Sequence, residues 1–419
     1  MKLSLKNVGK IKKATVEIKG ITVIAGENNT GKSTVGRALY SVFNSFYNID
    51  EQIYKEKLRS IDNLFNFMHR YVNKVYVQGM EIEEIAFNIL KDVEKYSTVE
   101  QLKEEIIKYL LQYDEDFEDN ENIDELSERI YEIIKISDED IFKTVLGKSL
   151  DTEFYGQVNN IFTEEEAEIC LHIKDIKTEI KITDNKVKSV DNRFGLRTEV
   201  IYFDDPFILD EQRNLFGYRY NMNYMSHRTH LKYKLFNNLK HTNVIDEIVV
   251  NNKFEKIYDK INEICDGNIV RARRNVWGYR KANTDKVLDA RNLSTGLKTF
   301  VILKTLLSNG SIEYNGTIIL DEPEIHLHPE WQLLFAELIV LIQKEFGVHI
   351  LLNTHSPYFL NAIEVYAAKY GLADKCKYYL AVVEEGSSYL DDVTNDIEKI
   401  YSKLAKPLQD LENERYRDD

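Results

Sequence analysis

Ile21-Thr22-Val23-Ile24-Ala25-Gly26-Glu27-Asn28-Asn29-Thr30-Gly31-Lys32-Ser33-Thr34 is the stretch on which the reading of the whole chain turns. Residues 26–34 fit the pattern GxxxxGK[ST], and the five residues before them are the apolar, β-branched run of a buried strand. Val35 to Phe43 continues at helical spacing, so the context is strand, Gly-rich turn, helix. Gly26 and Gly31 allow a tight turn that brings backbone N–H groups from Gly26 to Thr34 onto phosphate oxygens. The helix that starts near Lys32 aims the positive end of its dipole at the same place. Lys32 is expected to reach the β- and γ-phosphates of ATP, and the Ser33 hydroxyl to ligate Mg²⁺.

A second motif lies far along the chain. Thr317-Ile318-Ile319-Leu320-Asp321-Glu322 is an apolar strand that delivers two acids to the carboxyl edge of a sheet. Asp321 is placed to hold Mg²⁺, directly or through water, and Glu322 is the natural general base for the water that attacks the γ-phosphate. His355, in Asn353-Thr354-His355-Ser356-Pro357 after the next apolar run, can hydrogen-bond the γ-phosphate or that water; the alternative is a satisfied structural histidine. His326 and His328 sit near carboxylates, but no further His/Cys pair converges on them in sequence, which argues against a metal site.

The 419 residues are 43% hydrophobic, ample for a buried core in one composite domain or in two or three. No run approaches the length of a membrane span and the start of the chain has no signal-like apolar stretch, so a cytoplasmic protein without membrane contact is expected. Cys170, Cys265 and Cys376 form no CxxC pair, which fits a reducing compartment.

The net charge of −15 is unevenly spread: residues 81–130 hold 17 Asp/Glu against 5 Lys/Arg. Within that segment Ile123, Leu126, Ile130, Ile133 and Ile134 recur at helical spacing, as do Leu102, Ile106 and Leu110, so amphipathic helices with charged outer faces are expected. The acidic surface is read as solvated helix or as a docking face for a partner. In contrast, residues 271–291 carry Arg271, Arg273, Arg274, Arg280, Lys281, Lys286 and Arg291 with Trp277 and Tyr279 among them. That composition suits nucleic-acid contact, a wet hairpin face, or a role toward nucleotide phosphates.

Periodicity along the chain gives an α/β fold, a mostly parallel sheet flanked by helices, with an N-terminal antiparallel β part and an inserted helical region. The expected division is 1–47 with 154–206 as one part of the nucleotide-binding head, 48–153 as the acidic helical insertion, and 207–267 as a helical and loop region. Residues 268–400 form the second part of the head and 401–419 a helical tail.

Taken together, Gly26 to Thr34, Leu293-Ser294-Thr295-Gly296, Ile318 to Pro329 and Thr354 to Pro357 resemble the ABC-type ATPase heads of the SMC, RecF and OLD-like group. Residues 1–45 and 285–400 carry the likeness. It implies a head-to-tail dimer in which Ser294, Thr295, Gly296 and Lys298 act in trans on ATP held by the partner's phosphate loop. Lys32, Ser33, Asp321 and Glu322 then act in cis, His355 as the switch histidine, and Glu324 to Pro329 as the interface loop. The glutamine loop that completes the Mg²⁺ shell in that group has no counterpart identified here.

The inserted segment lacks sustained heptads, unlike SMC and DNA-repair members. Only 64 residues follow His355, too few for the Toprim nuclease domain of OLD enzymes. The resemblance narrows to compact stand-alone ATPase subunits of bacterial anti-phage systems, such as those of Septu, PARIS and retrons. Two functions compete: an ATP-dependent sensor that oligomerises and controls a separate effector such as a nuclease, and a RecF-like ATPase that binds DNA through Arg271, Arg273, Arg274, Arg280 and Lys281.

Overall fold

The structure, a computed structural model, describes residues 1–68, 79–113, 117, 119–211, 224–237, 255–273 and 276–415. These residues fall into two compact units, one made of Met1–Tyr47 and Leu146–Asp419, the other of Asn48–Val145.

The first unit is built on strands β1 (Lys2–Val8), β2 (Ile11–Glu17), β3 (Ile21–Ala25), β4 (Ala167–Ile173), β5 (Ile176–Thr183), β6 (Lys186–Asp191) and β7 (Val200–Phe203). They are followed by β8 (Asn268–Arg273), β9 (Val276–Arg280), β10 (Val287–Asp289), β11 (Thr317–Asp321), β12 (His349–Thr354), β13 (Cys376–Glu384) and β14 (Ser387–Asp392). Eleven strands form one sheet in the order β6-β5-β4-β1-β2-β14-β13-β3-β12-β11-β7, and β10-β9-β8 form a small separate sheet. The sheet is mixed. From β13 to β7 all neighbours run parallel, whereas from β6 to β2 all run antiparallel. The expected N-terminal antiparallel part is continuous with the parallel part and as wide, in one mixed α/β sheet.

Burial explains the division. β3, β7 and β11 are buried at every position, as strands covered by helices on both faces must be. β1 and β5 alternate buried and exposed residues, the pattern of a sheet with one wet face. The covering helices include α1 (Lys32–Phe46) and the helices Thr295–Ser308, Pro329–Phe346 and Pro357–Lys369. Phe300, Phe335 and Phe359 anchor this core, with the Phe300 and Phe335 rings edge-to-face at 5.5 Å.

The sequence reading puts 370–391 in the second part of the head without assigning strands to it; the structure places the β13–β14 hairpin there. Its two-residue turn is Glu385-Gly386, with φ of 48° and 80°, the left-handed pair that a tight hairpin turn requires.

The second unit is helical: Ile49–Met68, Gly79–Lys91, Val99–Tyr113 and Glu121–Lys135 are its main elements. Leu102, Ile106, Leu110, Ile123, Leu126, Ile130 and Ile134 are buried together, and Ile133 packs partly buried against them. Asn120 caps the last of these helices by accepting from Asn122 N–H. Lys103, on the helix Val99–Tyr113, bridges Asp119 and Asp124 at 2.6 Å each. Ile130→Ala is expected to cost about 2–5 kcal/mol of local stability. Faster amide hydrogen exchange across Glu121–Lys135, with β3 and β12 still protected, is the expected reading; unchanged protection would place the core of this unit elsewhere.

Candidate active site

Parallel register sets the location. Asp321 pairs with Asn353, Thr354 with Ala25, and Leu320 with Phe203, so β3, β7, β11 and β12 all end on one edge of the sheet. The loop 26–31 leaves that edge and turns into α1. Gly31 sits at φ 85° as the cap of α1, where a Cβ would lie 3.1 Å from Ile11. A Cβ on Gly26 would meet the Ala381 carbonyl at 2.8 Å. Thr30 donates to the Glu27 carbonyl and Lys10 to that of Asn29, at 2.9 Å each, which fixes the loop's shape from inside.

The start of α1 carries no side-chain cap and no acid in its first turn. Its first N–H groups are therefore left for an anion, as a phosphate site needs. Glu27, Asn28 and Asn29 are exposed, Thr30 is buried, and Ser33 and Thr34 are half-buried at the helix start. Lys32 is only 4% exposed; its ammonium donates to the Gly26 and Glu27 carbonyls at 3.0 and 2.8 Å and lies 3.3 Å from Glu322 Oε1. The structure thus brings Lys32 and Ser33 to the same sheet edge as Asp321, Glu322 and His355, far apart though the two groups are in sequence.

Asp321 is nearly buried and both its oxygens have donors: Tyr202 Oη to Oδ2 at 2.7 Å and Asn353 Nδ2 to Oδ1 at 2.9 Å. Glu322 follows with φ of 50°, an uncommon conformation for a residue with a side chain, and its N–H is tied to the Asn353 carbonyl at 2.9 Å. The turn aims its carboxylate between Lys32 and His355. Oε1 faces Lys32, and Oε2 lies 3.3 Å from His355 Nδ1, within ion-pair reach though not aligned as a hydrogen bond. Behind them Glu324 is buried and accepts from the Thr354 hydroxyl; burial pushes its carboxyl up to about 7, against the pull of that hydrogen bond.

The residues of the Leu293–Gly296 element are arranged differently. Ser294 is exposed and caps the helix Thr295–Ser308 by position, without a side-chain hydrogen bond, and Thr295 is half-buried beside it. Gly296 is buried where a Cβ would crowd the His326 carbonyl and the Trp331 ring at 3.1 Å. Lys298 is engaged within the chain: its ammonium donates to Asp210 at 2.6 Å and to the Arg291 carbonyl at 3.2 Å, with the Phe207 ring 5.4 Å away. His326 is exposed, and His328 Nδ1 accepts from Glu330 N–H at the start of the next helix. Among the described residues no group of three or more His, Cys, Asp or Glu could hold a metal ion by itself, and no helix is long and apolar enough to cross a membrane.

The basic stretch spans β8, β9 and β10, with Arg271, Arg273, Arg280 and Lys281 exposed; Arg274 lies outside the described residues. Trp277 and Tyr279 are buried, Trp277 against Phe236 at 5.1 Å and Tyr279 accepting from Gly267 N–H at 2.7 Å. They are core residues, so aromatic stacking on bases drops out of the reading of this segment.

Sequence reasoning missed Tyr202, Asn353, His227, Glu153 and Asp204. His227 bridges Glu153 Oε2 at 2.7 Å and Asp204 Oδ2 at 3.0 Å, and its ring stacks on Tyr202 at 4.3 Å. Burial alone would lower the imidazole's pKa; its hydrogen bonds to Asp204 and Glu153 outweigh it and raise it to about 9, so both ring nitrogens donate near neutral pH. A buried strand ending in Tyr-Phe-Asp-Asp was the available signal for Tyr202 and Asp204.

A segment of 120 residues, 28% of this chain, is 29% identical to the OLD nuclease of Thermus scotoductus; the match spans 22% of that protein's length. Solved structures with loose overall likeness include an SMC head bound to the C-terminal winged-helix domain of ScpA (TM-score 0.41, 12% identity, 95% of this chain and 98% of that one). The SMC head domain from Thermotoga maritima gives a TM-score of 0.39 at 12% identity, over 94% and 98% of the two chains. Residues 21–361 match the family model described as "AAA domain, putative AbiEii toxin, Type IV TA system". That span takes in the loop 26–34, the strand end at Asp321-Glu322 and His355, and the chain belongs to this AAA domain family.

Proposed function

We propose that the chain binds and hydrolyses ATP with Mg²⁺, closes head-to-tail with a second copy, and in doing so controls a separate effector protein such as a nuclease in a bacterial anti-phage system. The observation that carries the ATPase part is the meeting of Lys32, Glu322 and His355 within 3.3 Å contacts at the sheet edge where Asp321 and the phosphate loop converge. ATP phosphates would replace the loop carbonyls as partners of Lys32 and take the N–H groups at the start of α1. Ser33 and Asp321 would hold Mg²⁺, which would supply charge neutralisation at the β- and γ-oxygens.

Released from Lys32, Glu322 would accept a proton from a water. The water oxygen forms a bond to the γ-phosphorus as the bond to the bridging oxygen breaks, giving ADP and phosphate. His355, half-buried beside the same carboxylate, would orient the water or the γ-phosphate. The exposed Ser294 and Thr295, with the backbone at Gly296, suit contact with nucleotide on a second copy. Lys298 would support that segment through Asp210 rather than touch phosphate. Effector control rests on the resemblance to stand-alone defence ATPases and on the presence of a second, acidic helical unit in the chain.

A RecF-like DNA-binding ATPase is the second reading, favoured by the exposed cations Arg271, Arg273, Arg280 and Lys281. The burial of Trp277 and Tyr279 weighs against base stacking there.

Lys32→Ala should abolish nucleotide binding. Glu322→Gln should retain ATP and lose turnover by about 10²–10⁴-fold, with a dimer trapped in ATP on size-exclusion chromatography; retained turnover would remove Glu322 as the base. Mixing Lys32→Ala with Ser294→Arg chains should restore part of the activity that each lacks, since one of the two composite sites is then intact. Failure with both proteins folded would exclude the head-to-tail arrangement. In a gel shift with ATP, the Glu322→Gln chain should bind DNA weakly, and tight, salt-sensitive binding would overturn the effector reading in favour of the second.

A further inference from the structure

Tyr202 stands in the middle of β7, 1% exposed, with its register partner Ile319 on β11. A phenylalanine would fill the same space without the cost of burying a hydroxyl. The hydroxyl nevertheless reaches past Ile319 to Asp321 Oδ2 at 2.7 Å, and α1 makes room for it. A Cβ at Gly36 would lie 3.0 Å from the Tyr202 Oη and 3.2 Å from the Ile319 side chain. On its other face the phenol ring stacks on His227 at 4.3 Å with 24° between the planes. That imidazole is held from both nitrogens, by Glu153 at 2.7 Å and Asp204 at 3.0 Å. Asn353 takes the second oxygen of Asp321 at 2.9 Å.

An ionised carboxylate offers about four lone-pair sites. Two of those on Asp321 are occupied by Tyr202 and Asn353, one on each oxygen, so the rotation of the carboxylate is set and each oxygen keeps a lone pair. We propose that Tyr202, clamped by His227, is a positioning residue that orients Asp321 toward Mg²⁺. The inference rests on the reading of Asp321 as a metal carboxylate. Outer-shell partners of this kind typically change metal affinity or activity about 10- to 100-fold, whereas a phenol that only filled the core would change stability alone. Because Asp204 follows β7 directly and His227 opens the helix His227–Asn237, the same clamp ties that helix to the metal edge.

The test uses the full chain and a readout other than turnover: the ratio of affinities for a fluorescent ATP analogue in saturating Mn²⁺ and in EDTA. Tyr202→Phe should lower that ratio about tenfold while leaving the EDTA affinity and thermal midpoint close to those of the parent. Gly36→Ala, which pushes on the hydroxyl without deleting it, should lower the ratio less, and the double variant should be no worse than Tyr202→Phe. Asp321→Asn serves as the reference. If Asp321→Asn lowers the ratio and both Tyr202→Phe and Gly36→Ala leave it unchanged, the positioning role is overturned while the metal reading stands. If Asp321→Asn leaves the ratio unchanged, the metal reading falls and the positioning role falls with it.

Discussion

The ammonium of Lys32 is the charge around which the site is organised. An ammonium taken almost wholly out of water must be met by fixed acceptors, and the fold supplies three: the Gly26 and Glu27 carbonyls and the Glu322 carboxylate. To offer two carbonyls to its own side chain the loop must curl back over the start of α1. That is why Gly31 adopts φ 85° and why Gly26 passes so close to β13. To offer Glu322, β11 must end level with β3 and β12, which their parallel register enforces. The antiparallel half of the sheet contributes at its β1–β2 turn, where Lys10 bonds the Asn29 carbonyl and Ile11 lies against Gly31.

The same charge accounts for the backbone of Glu322. A residue at φ 50° is held there only when its surroundings over-determine it. Here the N–H is fixed to the Asn353 carbonyl, Pro323 follows, and the two carboxylate oxygens face Lys32 and His355. Asp321 and Glu322 are neighbours in sequence, yet their environments differ sharply. Asp321 continues the strand and is locked by two donors, while Glu322 turns out of it with its carboxylate between Lys32 and His355. One acid is fixed by neutral donors and the other faces two potential cations.

How much of this was legible in the sequence depends on which interactions are local. The strand-loop-helix around Lys32, the strand ending at Asp321-Glu322 and the helix after Ser294 are encoded by short-range periodicity and Gly or Pro punctuation. The helical unit was equally readable from Ile123, Leu126, Ile130 and Ile134, because a stripe at helical period needs no partner to be recognised. What escaped was decided by distant pairing. β13 is buried through contacts with β3, at the opposite end of the chain, and its sequence, Cys376 to Glu384, is an apolar run that periodicity alone cannot assign. Trp277 and Tyr279 looked like a surface for bases because they lie among cations, but a strand with one buried face produces the same mixture.

Tyr202 shows why the outer parts of a site are harder to read than its motifs. A phosphate loop is recognisable because its chemistry demands particular residues at fixed spacing. The group that orients Asp321 needs only a donor at the right point in space, which a tyrosine one strand over can supply as well as an asparagine two residues upstream of His355. Supplying it from β7 has a structural consequence. It places a buried hydroxyl between helices and strands, requires Gly36 on α1, and draws the His227 imidazole with its two carboxylates onto the ring. A positive imidazole against the face of a phenol, with acids on both nitrogens, compensates charge that would otherwise be costly at that depth. Asp321 is thereby linked to the helix His227–Asn237 through one aromatic ring.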